Sequence, residues 1–76
     1  MNTTQKLQHY IEEELKASML YAELAKLAPN EEYRKLLTEM SADEKDHAEN
    51  FNQVYKMLTG RSYTPNVAPP EIEDPF

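Results

Sequence analysis

The sequence has no cysteine, no tryptophan and a single glycine among its 76 residues. The absence of cysteine excludes disulfide bonds, thiolate zinc sites, cysteine-ligated iron centres and thiol redox chemistry within this chain. Any redox metal must therefore be held by oxygen and nitrogen atoms. A chain this short buries only about 60% of the surface that its unfolded state exposes. Without disulfides, the remaining ways to stabilise it are a bound metal or self-association.

Long apolar runs and basic clusters are also missing. No stretch approaches the roughly 20 apolar residues that a membrane-spanning helix needs, and the N-terminus lacks the charged and apolar pattern of a signal peptide. Acidic residues outnumber basic ones by 14 to 8, which gives a formal net charge of -6. We therefore predict a cytoplasmic protein that binds neither nucleic acid nor membranes and that takes metal cations as partners.

Two helical segments occupy most of the chain. Residues from about 3 to 28 are rich in Leu, Ala, Glu and Lys and contain neither Gly nor Pro, which predicts one long helix. Pro29 interrupts this pattern, and Asn30 is a suitable N-cap for a second helix over about 30–59. Gly60 follows the last periodic residue, as a C-terminal glycine cap does. The expected unit is an antiparallel helical hairpin.

A tail follows the hairpin. We assign residues 1–60 to the helical hairpin and residues 61–76 to an extended segment, because that segment holds four of the five prolines. The tail either lies along a bundle surface, in this molecule or in a neighbour, or is disordered. The apolar residues that would make such a contact are Tyr63, Val67, Ile72 and Phe76.

Both helices carry a repeat with alternating spacings of about three and four residues, the pattern of packed helices. In helix 2 the repeat contains Tyr33, Leu37, Met40, Glu44, His47, Phe51, Val54 and Leu58. In helix 1 it contains Leu7, Ile11, Glu14, Ser18, Tyr21, Ala25 and Ala28. We predict one buried stripe per helix. Ser41 and Glu44 also match a capping box, but the repeat continues without a phase change, which favours one continuous helix.

Three ionisable residues, Glu14, Glu44 and His47, interrupt the middle of these stripes. Burying an unpaired carboxylate costs several kcal/mol, so such groups are normally neutralised, paired or bound to a cation. Glu14 lies as far before Pro29 as Glu44 lies after it, so both should reach the same depth in the hairpin. His47 follows within one helical turn on the same face. The pattern predicts that the three side chains converge on a metal.

One hairpin supplies only two carboxylates and one imidazole, and its apolar stripe would stay half exposed to water. A twofold partner would solve both problems, because a homodimer presents four carboxylates and two imidazoles in one core. Such a set suits two divalent cations, either Fe or Mn and less specifically Zn. The predicted fold is therefore all-α, with two hairpins forming a four-helix bundle around a dinuclear site shared between the chains.

A family resemblance supports this interpretation. Its marks are Glu14 with Tyr21, the run Asp43-Glu44-Lys45-Asp46-His47-Ala48, the pair Leu24-Ala25, the Ala-Pro turn and Leu58-Thr59-Gly60. The stretch from Ile11 to Gly60 resembles rubrerythrin-like members of the ferritin superfamily, whose bundles hold two metals with one Glu on each of two helices and Glu-x-x-His on the other two.

The resemblance implies a role for each matching residue. Glu14 would be a terminal carboxylate ligand, Glu44 a bridging carboxylate and His47 a terminal imidazole ligand. Tyr21 would donate a hydrogen bond beside the metal pair and is our candidate catalytic residue, although a tyrosine here also fits simple core packing. Asp43 would orient a histidine on the opposing helix.

The implied function is that of a non-haem di-iron protein that oxidises Fe(II) or reduces peroxide or dioxygen, which would make it an oxidoreductase. The sequence departs from the family in two ways. Most relatives carry two hairpins in one chain, so this chain either forms a homodimer or is a fragment of a longer protein. Rubrerythrin itself adds a cysteine-ligated iron domain, which has no counterpart here, so an electron supply of that kind is in doubt.

Three alternatives stay open. The chain could be an iron-handling subunit of a larger homo-oligomeric ring, or the site could hold two manganese ions as in a catalase. A third alternative, from another class, is a metal-free dimerisation module in which His47 is packed or accepts phosphate. Away from the stripes, His9 is expected to be solvated and Glu12 to pair with Lys16 on an acidic surface.

Overall fold

The computed structural model describes residues 1–73 and contains two α-helices, α1 (Thr3–Leu27) and α2 (Glu31–Thr59). The helices pack against each other in an antiparallel hairpin, and no strand occurs in the described range. The predicted all-α hairpin is confirmed. Within residues 1–73, no helix has the length and apolar character required to cross a membrane.

Local capping explains where the helices begin and end. Asn2 and Gln5 form a reciprocal capping box at the start of α1. Asn30 caps α2 as predicted, because its side chain accepts a hydrogen bond from the Tyr33 amide at 3.0 Å. Gly60 ends α2 at a φ of 83°, a left-handed conformation that glycine adopts without steric cost. The predicted glycine cap is thus confirmed.

A narrow core lies between the two helices. Leu7, Ile11 and Tyr55 are buried together near the open end of the hairpin, and Leu15, Phe51 and Tyr63 pack against them. Smaller residues form the rest of the buried contact: Ala25, Ala28 and Ala48. α2 runs unbroken past Ser41, so the capping-box pattern at that position does not start a new helix.

In the single hairpin the predicted α2 stripe is only partly covered, as expected for a hairpin without a second copy. α2 meets α1 through Ser41, Ala48 and Tyr55, each one position after a residue of the stripe, and through Phe51, which belongs to it. Met40 and Val54 of that stripe are 41% and 45% exposed. The physical reason is that a single neighbouring helix covers only one flank of a wide apolar band. The other flank stays open to a further partner.

The segment after Gly60 turns back onto the hairpin at Tyr63. The side-chain amide of Asn52 donates to the Tyr63 carbonyl at 2.7 Å and accepts from the Tyr63 amide at 2.8 Å. The Tyr63 hydroxyl donates to the Glu12 carboxylate, and its ring lies 5.7 Å from the Tyr55 ring. The contact predicted for Phe76 lies outside the described residues.

The predicted Glu12–Lys16 pair is wrong. Lys16 instead lies 3.6 Å from Glu13, while Glu12 accepts the hydrogen bond from Tyr63. A hydrogen bond from a tyrosine to a carboxylate competes well with an exposed ion pair, because such pairs gain little in water. The folded tail therefore decides which partner Glu12 takes.

Candidate metal centre

The hairpin brings Glu14, Glu44 and His47 together at mid-length. Glu14 comes from α1, whereas Glu44 and His47 lie within one turn of α2 and project from the same side. One donor atom from each of the three residues lies within 4.8 Å of the others. The structure therefore places the three predicted ligands in one cluster.

Within this cluster the imidazole lies close to both carboxylates. His47 Nδ1 is 3.5 Å from Glu14 Oε2 and 3.8 Å from Glu44 Oε2. Both glutamate side chains are 25% exposed, and that of His47 is 54% exposed. The cluster is thus covered on one side by the two helices and is accessible from the side of the hairpin that no other element covers.

Glu14 has the least favourable surroundings of the three. Its Oε2 atom is buried and has no hydrogen-bond partner among the described residues. The pKa of Glu14 is raised above its ordinary value of 4.5, first by the adjacent Glu44 carboxyl group, which favours a proton shared between the two, and then by burial. His47 acts in the opposite direction and lowers this pKa. A positive charge would relieve the strain of this arrangement.

The donor set fits a divalent transition metal. Two carboxylates and one imidazole are the oxygen-rich ligands that Fe and Mn accept, and the buried Oε2 atom of Glu14 offers an unused lone pair. Three donors are too few to enclose a pair of metals. The set is also open on the side where the hairpin exposes its apolar band, so further ligands can arrive only from there or from solvent.

Tyr21 and Asp43 lie outside this cluster. Tyr21 is half-buried on α1, about two turns from Glu14, and Asp43 is exposed on α2. Among residues 1–73, neither side chain makes a hydrogen bond within the chain. Their roles as hydrogen-bond donor and histidine-orienting carboxylate remain predictions, since both concern groups beyond a single hairpin.

Sequence reasoning placed Ser18 and Phe51 on the stripes but missed the contacts that flank the cluster. Ser18 and Ser41 lie on its turn side and exchange hydrogen bonds between the helices. Tyr10 and Phe51 lie on the other side, with ring centroids 5.4 Å apart. Ser18 stands one turn from Glu14 within the predicted α1 repeat, and a polar residue at such a position is the signal that could have indicated an interhelical bond.

The family comparison agrees with this geometry. The family model described as Rubrerythrin matches residues 6–72, which include both helices almost completely and all three clustered residues. No significant match was found among curated proteins or among solved structures.

Proposed function

Because this chain belongs to the rubrerythrin family, we propose that it is a non-haem di-iron protein that oxidises Fe(II) or reduces peroxide or dioxygen. The observation that carries the proposal is the convergence of Glu14, Glu44 and His47 around a buried carboxylate oxygen that accepts no hydrogen bond from residues 1–73. Bound iron would supply one-electron redox chemistry at this position. The protein would supply the ligands, their spacing and the exclusion of water.

A second copy of the chain would complete the site. Each hairpin contributes three donors, so a twofold pair contributes four carboxylates and two imidazoles, enough for two metals. The hairpin exposes large apolar residues on the predicted stripes, which favours covering by another apolar surface. These residues are Tyr33, Met40, Val54 and Leu58 of α2, and Tyr10 of α1 lies beside its stripe.

The spacing on α2 suggests how the copies pair. Positions 33, 37, 40 and 44 mirror positions 58, 54, 51 and 47, so the spacing of the stripe residues is the same when α2 is followed in either direction. Antiparallel packing of α2 on its copy would therefore set Glu44 opposite the second copy's His47 position and match apolar residues along the rest of the stripe. This arrangement brings both ligand sets to one depth.

In this proposal the chain's own groups have distinct tasks. Glu14, Glu44 and His47 would hold the metals, Glu14 and Glu44 through their carboxylates and His47 through its imidazole. Carboxylates suit a site that changes between ferrous and ferric iron, because they can shift between bridging and chelating modes. Tyr21 would donate a hydrogen bond near the site, and Asp43 would orient the second copy's imidazole.

Two alternative functions would use the same site. A ring of many copies would repeat the same paired contact, and Mn would occupy the same donors as Fe. The metal-free dimerisation module differs, since it needs His47 only as a packed or solvent-facing residue. The 54% exposure of the His47 side chain in the single hairpin is the observation on which that alternative rests.

Metal-dependent stability tests the proposal. We expect Fe(II) without oxygen, or Mn(II), to raise the thermal midpoint by roughly 10 °C or more at 100 times the dissociation constant, because a ligand of the native state stabilises by mass action. Glu44→Ala and His47→Ala should remove most of this increase. His9→Ala is the matched control, because His9 is exposed and lies outside the cluster, and it should keep the increase.

The activity is measured on the same variants. Fe(II) oxidation, followed by ferric absorbance after addition of dioxygen or peroxide, should be faster with the wild-type chain than in buffer and should fall to the buffer rate in His47→Ala. An unchanged midpoint with saturating metal would refute the metal centre. Tight binding without accelerated oxidation would refute the redox function and leave a metal-binding bundle.

A further inference from the structure

A reciprocal pair of serine hydrogen bonds crosses between the helices next to the proposed ligands. The Ser18 hydroxyl lies 2.8 Å from the Ser41 carbonyl oxygen, and the Ser41 hydroxyl lies 2.7 Å from the Ser18 carbonyl oxygen. The two hydroxyl oxygens are 3.1 Å apart. Each side chain thus reaches the backbone of the opposite helix, and both serines are half-buried.

These contacts fix two geometric quantities. Hydroxyl donors must lie within about 3 Å of their acceptors, so α1 and α2 cannot move apart here without breaking both bonds. Sliding one helix by a single residue, about 1.5 Å, would move both hydroxyl groups away from the carbonyls they now meet. The serine pair therefore defines both the separation and the axial register of the helices.

The same separation and register decide whether the ligands meet. Ser18 lies one turn after Glu14 on α1, and Ser41 lies one turn before Glu44 on α2. On the other side of the cluster, the helices meet through directionless apolar contacts around Ile11 and Ala48. The next interhelical hydrogen bond, from Gln8 to the Tyr55 hydroxyl, lies farther towards the open end. The two acidic side chains repel each other when both are charged, so a directional contact beside them has a specific use.

We propose that Ser18 and Ser41 are positioning residues for the metal centre, because their reciprocal bonds hold Glu14 and Glu44 at one depth before a metal binds. This inference rests on the proposed function. It goes further by assigning to two residues that bind no metal the task of preorganising the ligands, which reduces the ordering cost of binding. Loss of residues that orient metal ligands typically weakens affinity by about 10- to 100-fold.

Single and double alanine variants test the proposal by Mn(II) titration calorimetry of the full chain. We expect Ser18→Ala and Ser41→Ala each to weaken Mn(II) binding by roughly tenfold or more. The double variant should bind Mn(II) more weakly than either single variant, because each alanine removes one hydroxyl donor and leaves the opposite serine bonded to a backbone carbonyl. The electron paramagnetic resonance signal of the Mn(II)-loaded chain should also change, since coupling between two ions depends on their separation.

The control is a variant whose destabilising substitution lies away from the serine pair and the metal cluster. Tyr63→Phe removes the hydrogen bond to Glu12 at the open end and should lower the thermal midpoint while leaving Mn(II) affinity within about twofold of wild type. Serine variants that lower the midpoint but bind Mn(II) like the wild type would show that the pair is only structural and would overturn the inference. A wild-type chain that binds neither Mn(II) nor Fe(II) would overturn the proposed function as well.

Discussion

Glu14 is the residue whose surroundings are hardest to explain without a cation. Its carboxylate lies partly buried beside a second carboxylate, and one oxygen has no hydrogen-bond partner in the described part of the chain. Natural proteins seldom leave a buried polar atom unsatisfied without a functional reason. The same features that destabilise the metal-free protein would favour binding of a divalent metal.

The unfavourable position of the Glu14 carboxylate predicts that the stability of the metal-free chain depends on pH. The pKa of Glu14 is higher in the folded chain than in the unfolded chain, so its contribution to folding stability is complete only when the pH is below the pKa of the unfolded chain. That contribution is lost as the pH rises from about 4.5 through the raised folded pKa. Glu14→Gln removes the charge, so the metal-free variant should have a higher thermal midpoint than wild type at pH 7, and the difference should shrink towards pH 4.

Addition of metal should reverse this order. With saturating Mn(II), the wild type should become more stable than Glu14→Gln, because an amide oxygen is a weaker ligand than a carboxylate. Glu13→Gln is the control, since Glu13 is exposed and neighbours Lys16 rather than the cluster. A metal-free Glu14→Gln variant that is less stable than wild type at pH 7 would contradict the strain described for this residue.

At the scale of the elements, the hairpin is closed by different means at its two ends. At the turn end, the polypeptide chain itself connects the two helices and Asn30 caps α2. At the open end, the helices are held together by the packing of Leu7, Ile11 and Tyr55 and by the segment that returns at Tyr63. The Asn52 side chain satisfies both backbone groups of Tyr63, as a neighbouring strand would. The residues after Gly60 therefore contribute to the fold although they form no helix.

Removal of this attachment should destabilise the hairpin. Asn52→Ala loses two hydrogen bonds and should lower the free energy of unfolding by about 1–2 kcal/mol. Tyr63→Ala should lower it further than Tyr63→Phe, because it also removes the packing on the core cluster and on the Tyr55 ring. Urea denaturation followed by circular dichroism measures these differences.

Thr64→Ala is the matched control for the tail. Thr64 neighbours Tyr63, is exposed and makes no side-chain hydrogen bond among residues 1–73. Its substitution should leave the urea midpoint unchanged. If Tyr63→Ala unfolds at the wild-type midpoint too, the tail is not attached to the hairpin in solution.

At the scale of the whole molecule, the exposed apolar face needs a cover. It runs along the side of the hairpin on which the metal cluster opens, and its residues are near half exposure: Tyr10, Tyr33, Met40 and Val54. A monomer would leave this surface in water at a cost that grows with its area. Pairing two copies would bury it and complete the ligand set in one step.

Engineered disulfides test the orientation of this pairing, and the natural absence of cysteine removes competing thiols. Antiparallel α2 helices would bring position 37 of one copy close to position 54 of the other. We therefore expect the double variant Leu37→Cys with Val54→Cys to form a covalent dimer under mild oxidation, seen on a non-reducing gel. Each single variant should stay uncrosslinked, because its two thiols would lie several turns apart.

Other outcomes of this experiment are equally informative. Crosslinking of each single variant with itself would indicate parallel helices and refute the proposed orientation. Crosslinking of none, together with a monomeric mass by light scattering at micromolar concentration, would refute the shared site.

The sequence by itself determined the hairpin, the caps of α2 at Asn30 and Gly60, and the three residues of the cluster. These depend on local rules: helix propensity, the proline at the turn, capping side chains and the equal distances of Glu14 and Glu44 from Pro29. Equal spacing within a repeat converts directly into equal depth, because each helical residue advances by the same rise.

Only the tertiary structure decided which flank of each helix is covered. In the structure, the α2 residues in contact with α1 include Ser41, Ala48 and Tyr55, one position after the predicted stripe. Ser18 and Ser41 are hydrogen-bonded to each other's helix, and Glu12 accepts a hydrogen bond from Tyr63. A broad apolar band allows several rotations about the helix axis, and the choice among them depends on the size and hydrogen-bonding groups of the residues that meet. That choice is a property of two helices together and cannot be read from either one alone.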